Sequence, residues 1–298
     1  MNKHSKIGTS SLIKPDLAAP VLFVTGREAI GIKAGTIFAG HTFAVDTDVK
    51  LPDGGLERGT DYAVCFGHGG LVAQKLLHAA IGETVIGGFH FAPGGNASAR
   101  AGGDDIPAIN PHSLWDLKFR PTCPDPGGMT RVQKPGDTFW CDIYLAGANC
   151  AEAGTSVFGA TIADGDDRPV DAAGKKYKRF DYETAVAVMS AHGKQLLSVE
   201  EFFAAAIGVT EKSAASSNPV VTGLDALRTS KFGLMQATGN MWVWGHDGDP
   251  DTPRPSVFGG SWWFDDHAGS RCADLGDWPD NSDECIGARG RSDHLQLV

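Results

Sequence analysis

The sequence predicts an α+β chain: a small β-rich N-terminal domain, then a larger domain in which two helices lie against sheets. Three observations carry this. Short apolar runs with two-residue alternation crowd residues 20–66, and two helix-start signals stand at Asp181 and Ser198. The 39 glycines among 298 residues require many tight turns and long loops, more than a helical bundle would use. A chain of this length holds two domains, each with its own core.

The elements follow in order. Val21–Val24, Ile30–Gly35 and His41–Val45 are strands separated by Gly or Asp turns, with Ile30/Ile32 and Phe43/Val45 alternating at strand period. Asp61–Phe66 is a further strand. Residues 71–82, LVAQKLLHAAIG, predict a short helix with Leu76, Leu77 and Ala80 on one face and Gly82 as its stop. Phe91–Pro111 is rich in Gly, Ala and Asp and poor in aliphatic bulk, so it reads as a linker or a long irregular loop. The domains are accordingly drawn as 1–85 and 86–298. In the second, Thr138–Leu145 has a strand pattern. A helix capped by Asp181 carries Tyr182, Ala185, Val186 and Met189 on one face and ends at Gly193. The run Ser198-Val199-Glu200-Glu201 is a capping box, in which hydroxyl and carboxylate satisfy each other's end of the first turn. Phe202, Phe203, Ala206 and Ile207 form the apolar side of the helix it starts, and Gly208 closes it. The remainder is loop-rich and dominated by Gly, Trp, Asp and Asn.

Several function classes are disfavoured. The net charge of −10 offers no basic field to recruit nucleic acid or an anionic membrane. No apolar run has the length of a membrane span, and the N-terminus lacks the apolar region of a signal peptide, so synthesis in a cytoplasm is expected. Cys65, Cys123, Cys141, Cys150, Cys272 and Cys285 include no CxxC pair and read as free thiols or small core residues; spacing leaves a Cys123 pairing with Cys141 or Cys150 open. There is no GxSxG, HExxH or phosphate-cradling loop. The acidic run His246–Pro253 offers Asp247, Asp249 and Asp251, yet Pro250 interrupts it and Phe258 stands where a calcium loop needs its bidentate Glu. It reads as a solvated loop. No catalytic residue, cofactor or metal site is expected.

Three segments carry a resemblance: Pro126–Gly147, His192–Gly208, and Thr238–Gly245 followed by Phe258–Gly290. In order and spacing they are similar to the C-type-lectin-like domain of the formylglycine-generating-enzyme and sulfatase-modifying-factor family, over residues 110–298. Within it, Ile286–Gly290 with Asp293-His294-Leu295, and the stretch Pro107–Pro121, resemble a subgroup. This is the set of variable proteins of diversity-generating retroelements, phage tropism determinants among them. The resemblance implies a C-type-lectin-like fold at the C-terminus and an N-terminal assembly or attachment domain, with a homotrimer in keeping. It also implies a virion tail location and recognition of a protein or surface ligand on a host cell or particle. The diversified segment would span residues 259–298.

That implication meets a chemical test. Asn codons of the AAC type, randomised at their two adenines, reach Asp, His, Ser, Gly, Phe, Leu and Cys but never Trp, Glu, Lys, Gln or Met. Ser261, Phe264, Asp265, Asp266, His267, Asp274, Leu275, Gly276, Asp277, Asp280, Asn281, Asp283 and Cys285 are all reachable. Trp263, Trp278 and Glu284 are not. The candidate ligand-binding positions are those thirteen with Trp263 added. Trp242, Trp244 and Trp262 are expected to be scaffold, and Arg271 and Arg289 to pin the loops through buried hydrogen bonds. Neither the EPN nor the QPD tripeptide of calcium-dependent lectins occurs. The alternative is a copper-dependent oxidase or a degenerate relative of one: Cys272 resembles the site of the enzymes' second copper cysteine, but His267 occupies the place of the first.

Overall fold

In the computed structural model, which describes residues 12–67, 69–76, 84–249 and 251–296, the alternating N-terminal segments become short antiparallel strands. β1 (Leu22–Gly26) and β2 (Ala29–Ile32) form a hairpin; β3 (Ile37–Phe38) pairs with β4 (His41–Thr42), and β5 (Thr47–Asp48) adds to β2. Leu22, Ile30, Ile32 and Phe38 point inward from these strands into one core, joined by Leu12 from the chain before β1. A second sheet contains β6 (Thr60–Gly67), β7 (Gly70–Lys75), β8 (Val85–Ala92), β9 (Ala108–Ile109) and β10 (Trp115–Asp116). Its order is β10-β8-β6-β7, with β9 also on β8.

Two expectations change here. Residues 71–75 are strand, not helix: β7 pairs antiparallel with β6 from Gly67↔Gly70 to Tyr62↔Lys75. Leu71 and Ala73 are buried while Gln74 and Lys75 are exposed, so the register against β6 overrides the local helix pattern. Residues 77–83 of that expected helix lie outside the described residues. Of the two readings of Phe91–Pro111, the irregular loop holds between β8 and β9 and the linker does not, because the segment is packed. Phe91 and Ala92 end β8, the backbones of Gly95 and Asp104 bond each other, and Ala97 N–H donates to Ser230 O at 3.1 Å. Its small residues allow close approach: a Cβ on Gly103 would meet Gly95 O at 2.0 Å. The ladder β6–β8–β10 also carries hydrogen bonding across residue 85 as far as Asp116.

Asp104 anchors this segment. Its carboxylate accepts from Arg27, Gly95 N and Ile106 N. The Arg27 hydrogen bonds, ahead of the backbone ones, hold its carboxyl down at about 2 against an ordinary 3.8. A depressed carboxyl stabilises the fold above its unfolded value and loses that contribution as pH falls through the folded one. Hydrogen-exchange protection at Gly95 and Ile106, corrected for intrinsic rates, is therefore expected to hold at pH 5 and to fall as pH drops from about 4 to about 2. Protection unchanged across that window would refute the anchor.

The C-terminal part is built on a large sheet. Its strands are β11 (Met129–Lys134), β12 (Asp137–Asp142), β13 (Gln195–Ser198), β14 (Trp242–His246), β15 (Pro255–Phe258), β16 (Ala273–Leu275), β17 (Ile286–Ala288) and β18 (Gly290–Asp293). The order is β11-β12-β18-β13-β14-β15-β16, with β17 also on β14. Pairing is antiparallel except for β13 and β17, which run parallel to β14. Three helices flank it: α1 (Cys150–Ala153), α2 (Tyr182–Ala191) and α3 (Val199–Ala205). Asp181 caps α2 by accepting from Thr184 N at 2.9 Å, and the Ser198–Glu201 capping box starts α3. Ala185, Val188 and Met189 form the buried face of α2, so Val186 turns to solvent rather than inward. After α3, Ala206 is buried and Ile207 exposed. All six cysteines are free, so neither disulfide left open at Cys123 forms.

Within the N-terminal part, Lys14 and Asp116 form a fully buried ion pair at 2.8 Å, and Asp116 also accepts from Val21 N, tying the segment before β1 to β10. Buried polar contacts also join this part to the C-terminal one. The His90 ring lies between Asp61 and Tyr144, 3.0 Å from each. The Asn110 amide donates to Phe232 O at 3.0 Å. Trp115, Phe119, Met129 and Trp140 form a shared apolar cluster there.

Candidate surface for ligand recognition

The sequence TGNMWVWG forms the centre of this surface's support. Its strand β14 is covered on both sides by neighbours, and Trp242 and Trp244 are buried as expected of scaffold. Arg289, directly after β17, is fully buried. Its Nη1 donates to Asp142 O at 2.9 Å and Ile143 O at 2.5 Å, and its Nη2 to Met235 O at 2.7 Å. One guanidinium therefore ties β12, β17 and the chain before β14 together.

From this frame the chain between β15 and β17 emerges as two loops with β16 between them. The first turns at Gly259 and Gly260, both at positive φ, where a Cβ on Gly260 would meet Ala268 Cα at 2.9 Å. It carries Trp263, Phe264 and a short 3₁₀ turn at Asp265–His267. The second, residues 276–285, is held to a neighbouring segment by backbone bonds. Tyr182 N–H donates to Pro279 O at 3.1 Å and Gly165 N–H to Asp283 O at 3.0 Å, while Phe180 N–H donates to Ser282 Oγ at 2.9 Å. Loops pinned by their backbones can change side chains without losing shape.

Among the candidate positions, Trp263, Phe264, Asp265, Asp266, His267, Asp274, Leu275, Gly276, Asp280 and Asp283 are exposed. Asp277, Asn281 and Cys285 are half-buried and partly structural: Asp277 Oδ1 accepts from Trp278 N at 2.8 Å, and burial, ahead of Asp283, pushes the Cys285 thiol up to about 12. Ser261 does not belong on the surface. It is fully buried, bridges to Asn240 and accepts from Trp263 N, because Gly260 turns its side chain into the frame.

Four large apolar side chains stand in solvent here: Trp263 is 63% exposed, Phe264 40%, Leu275 47% and Trp278 78%. Trp278 is not among the candidate positions, although the codon argument treats it no differently from Trp263; its place in a loop rich in Asp, beside Gly276, is the signal that could have found it. Trp262 is half-buried and lies against Trp263 with ring centroids 4.5 Å apart. Phe264 packs edge-on against Trp242 at 4.7 Å, so it serves frame and surface together. Between Gly259 and Cys285 the chain itself carries Asp265, Asp266, Asp274, Asp277, Asp280, Asp283 and Glu284 but one arginine, Arg271; from outside these loops Arg179 meets Asp280 at 3.4 Å.

Arg271 is exposed, its guanidinium 5.3 Å from the Phe203 ring centre, so it does not pin a loop from within as Arg289 does. Next to it, Cys272 is half-buried, and burial followed by the Asp274 charge raises its thiol above the ordinary value. Both effects disfavour the thiolate that copper chemistry would use. The oxidase alternative gains no support from this site.

Comparison with known proteins places these features. The family model described as the Mtd second domain matches residues 20–116, ending with β10. The tail fiber receptor-binding protein of Bordetella phage BPP-1 is 37% identical over 343 aligned positions, which cover 99% of this chain and 87% of that protein. The solved I1 variant of the Major Tropism Determinant superposes with a TM-score of 0.87 at 37% identity, covering 97% of this chain and 87% of that one. The U1 variant gives 0.88 at 36% identity, covering 100% and 89%.

Proposed function

The chain belongs to the Major Tropism Determinant family, and on that premise we propose that it recognises a receptor on a host cell surface from the tail fibre of a phage or prophage. The recognising surface is the pair of loops between β15 and β17. The observation that carries this reading is the set of four exposed apolar side chains, Trp263, Phe264, Leu275 and Trp278, on loops fixed by backbone bonds to a buried frame. A soluble domain leaves such a group uncovered where a partner covers it. Preorganised loops avoid the ordering entropy that a mobile loop loses on binding, and aromatic anchors supply contact area at few torsions. The diversified positions are those exposed in 263–283, while Ser261, Trp242, Trp244 and Arg289 stay constant beneath them. The N-terminal strands serve attachment to the particle and assembly of a homotrimer.

The test is the variant Trp263→Ser/Leu275→Asn/Trp278→Ser. Phe264 is left in place because its ring supports Trp242. Exposed substitutions change stability by less than about 0.5 kcal/mol each, so the melting temperature should stay near wild type. Loss of an anchor at an interface centre costs about 2 kcal/mol or more, so adsorption to the receptor-bearing cell should fall at least about thirtyfold. Adsorption at the wild-type level by the folded variant would refute the assignment.

A further inference from the structure

Outside the variable loops, a basic groove stands out against the acidic chain. Residues 171–179 fold back at Gly174, whose φ is +77°, with Gly174 N–H donating to Asp171 O at 2.9 Å and Val170 bridging Lys176. Tyr177 N–H donates to Pro169 O at 3.0 Å, and Arg168 donates to Lys178 O at 2.8 Å. This ordered turn and the N-terminus of α2 enclose an open groove of about 480 Å³, lined chiefly by Lys175, Lys176, Tyr177, Lys178 and Arg179.

The two carboxylates in the groove each turn one oxygen to the backbone and keep their charge, so four cations against two anions leave the lining net positive. Asp171 Oδ1 accepts from Ala173 N and Lys175 N, and Asp181 Oδ1 accepts from Thr184 N. Among the described residues, Lys175, Lys176 and Lys178 form no ion pair; the Lys176 ammonium reaches only a backbone carbonyl, that of Asp166, at 3.3 Å. Only Arg179 meets an acid, Asp280 at 3.4 Å, and this contact places the groove directly beside the receptor-facing loop. Three cations held on a rigid turn without carboxylate partners form a site for an anionic group.

We propose that this groove binds a phosphate-bearing saccharide of the host surface, independently of the diversified positions. The net charge of −10 opposes a long polyanion, so the ligand is one carrying a single anionic group at a time. Tyr177 and the Thr184 hydroxyl in the lining supply the apolar and hydrogen-bonding contacts a sugar ring takes. A subsite of this kind gives weak first attachment that survives any change in the variable loops. It adds to their binding through effective concentration.

The experiment is calorimetric titration of the full chain with glucose 6-phosphate, inorganic phosphate and glucose. Glucose 6-phosphate should bind at least about tenfold more tightly than either of the others, since both charge and ring contribute. The variant Lys175→Glu/Lys178→Glu should weaken it by about tenfold or more, while Lys50→Glu/Lys75→Glu, an equal change of charge elsewhere, should leave it unchanged. Arg179 is untouched so that its contact with Asp280 persists. Thermal melts check folding, and Lys175→Gln/Lys178→Gln replaces the reversal variant if that one fails to fold. No binding of glucose 6-phosphate, or binding insensitive to the groove lysines, overturns the site. Equal affinity for inorganic phosphate reduces it to an ion site and overturns the saccharide assignment.

Discussion

Arg289→Met is expected to lower stability by about 3–5 kcal/mol, the largest loss from any single substitution beneath the recognition surface. The guanidinium is fully buried and donates to the carbonyls of Asp142, Ile143 and Met235. Methionine fills similar volume but donates nothing, so three buried carbonyls lose a charged donor; Ile143 O still accepts from Met235 N–H at 2.9 Å, and each carbonyl left unpaired costs about 1–3 kcal/mol, offset in part by the guanidinium desolvation no longer required. Each kcal/mol lowers the melting temperature of a domain this size by about 2–4 °C, so a fall near 10 °C should appear in a thermal melt. Arg289→Lys should recover only part, because one ammonium cannot span carbonyls on both sides of the fork. A melting temperature within about 1 °C of wild type for the methionine variant would show that the frame does not rest on this residue.

Lys14→Met should be comparably damaging, by about 3–5 kcal/mol, because it leaves the Asp116 carboxylate buried without its countercharge. Burial already pushes the Asp116 carboxyl above the usual range and pulls the Lys14 ammonium below it. A raised carboxyl binds its proton more readily in the folded state, so its contribution is full below the ordinary value and fades as pH rises through the raised one. The penalty of Lys14→Met is therefore smallest in acid and grows toward neutral pH. Adding Asp116→Asn removes the charge but keeps an acceptor for only one of Val21 N and Lys118 N, so the double variant should recover part of the loss at neutral pH. Urea melts at two pH values measure the cycle. A double variant as unstable as Lys14→Met alone would show that packing, and not the charge, is the cause.

Features whose physics is local were legible in the residues alone. Asp181 and Ser198 start helices because their side chains reach amides three residues on, and that geometry needs no distant partner. Ile30 and Ile32 alternate with their neighbours in a hairpin closed within a few residues. The motifs around Trp242, Gly259 and Arg289 identified the C-terminal frame, and the polar stretch between them identified its loops. Tertiary structure alone decided the rest. Leu71 to Lys75 have the composition of a helix, yet β6 offers a full antiparallel ladder that outweighs a few tenths of a kcal/mol of propensity per residue. The glycines of 94–103 look like a linker in one dimension, because composition cannot show that Ser230 and Ala226, far along the chain, bond to their backbone. Ser261 and Arg271 exchanged their expected places for the same reason. Which way a side chain faces is set by the turn at Gly260 and the packing over Phe203, and both depend on contacts among segments the sequence does not place side by side.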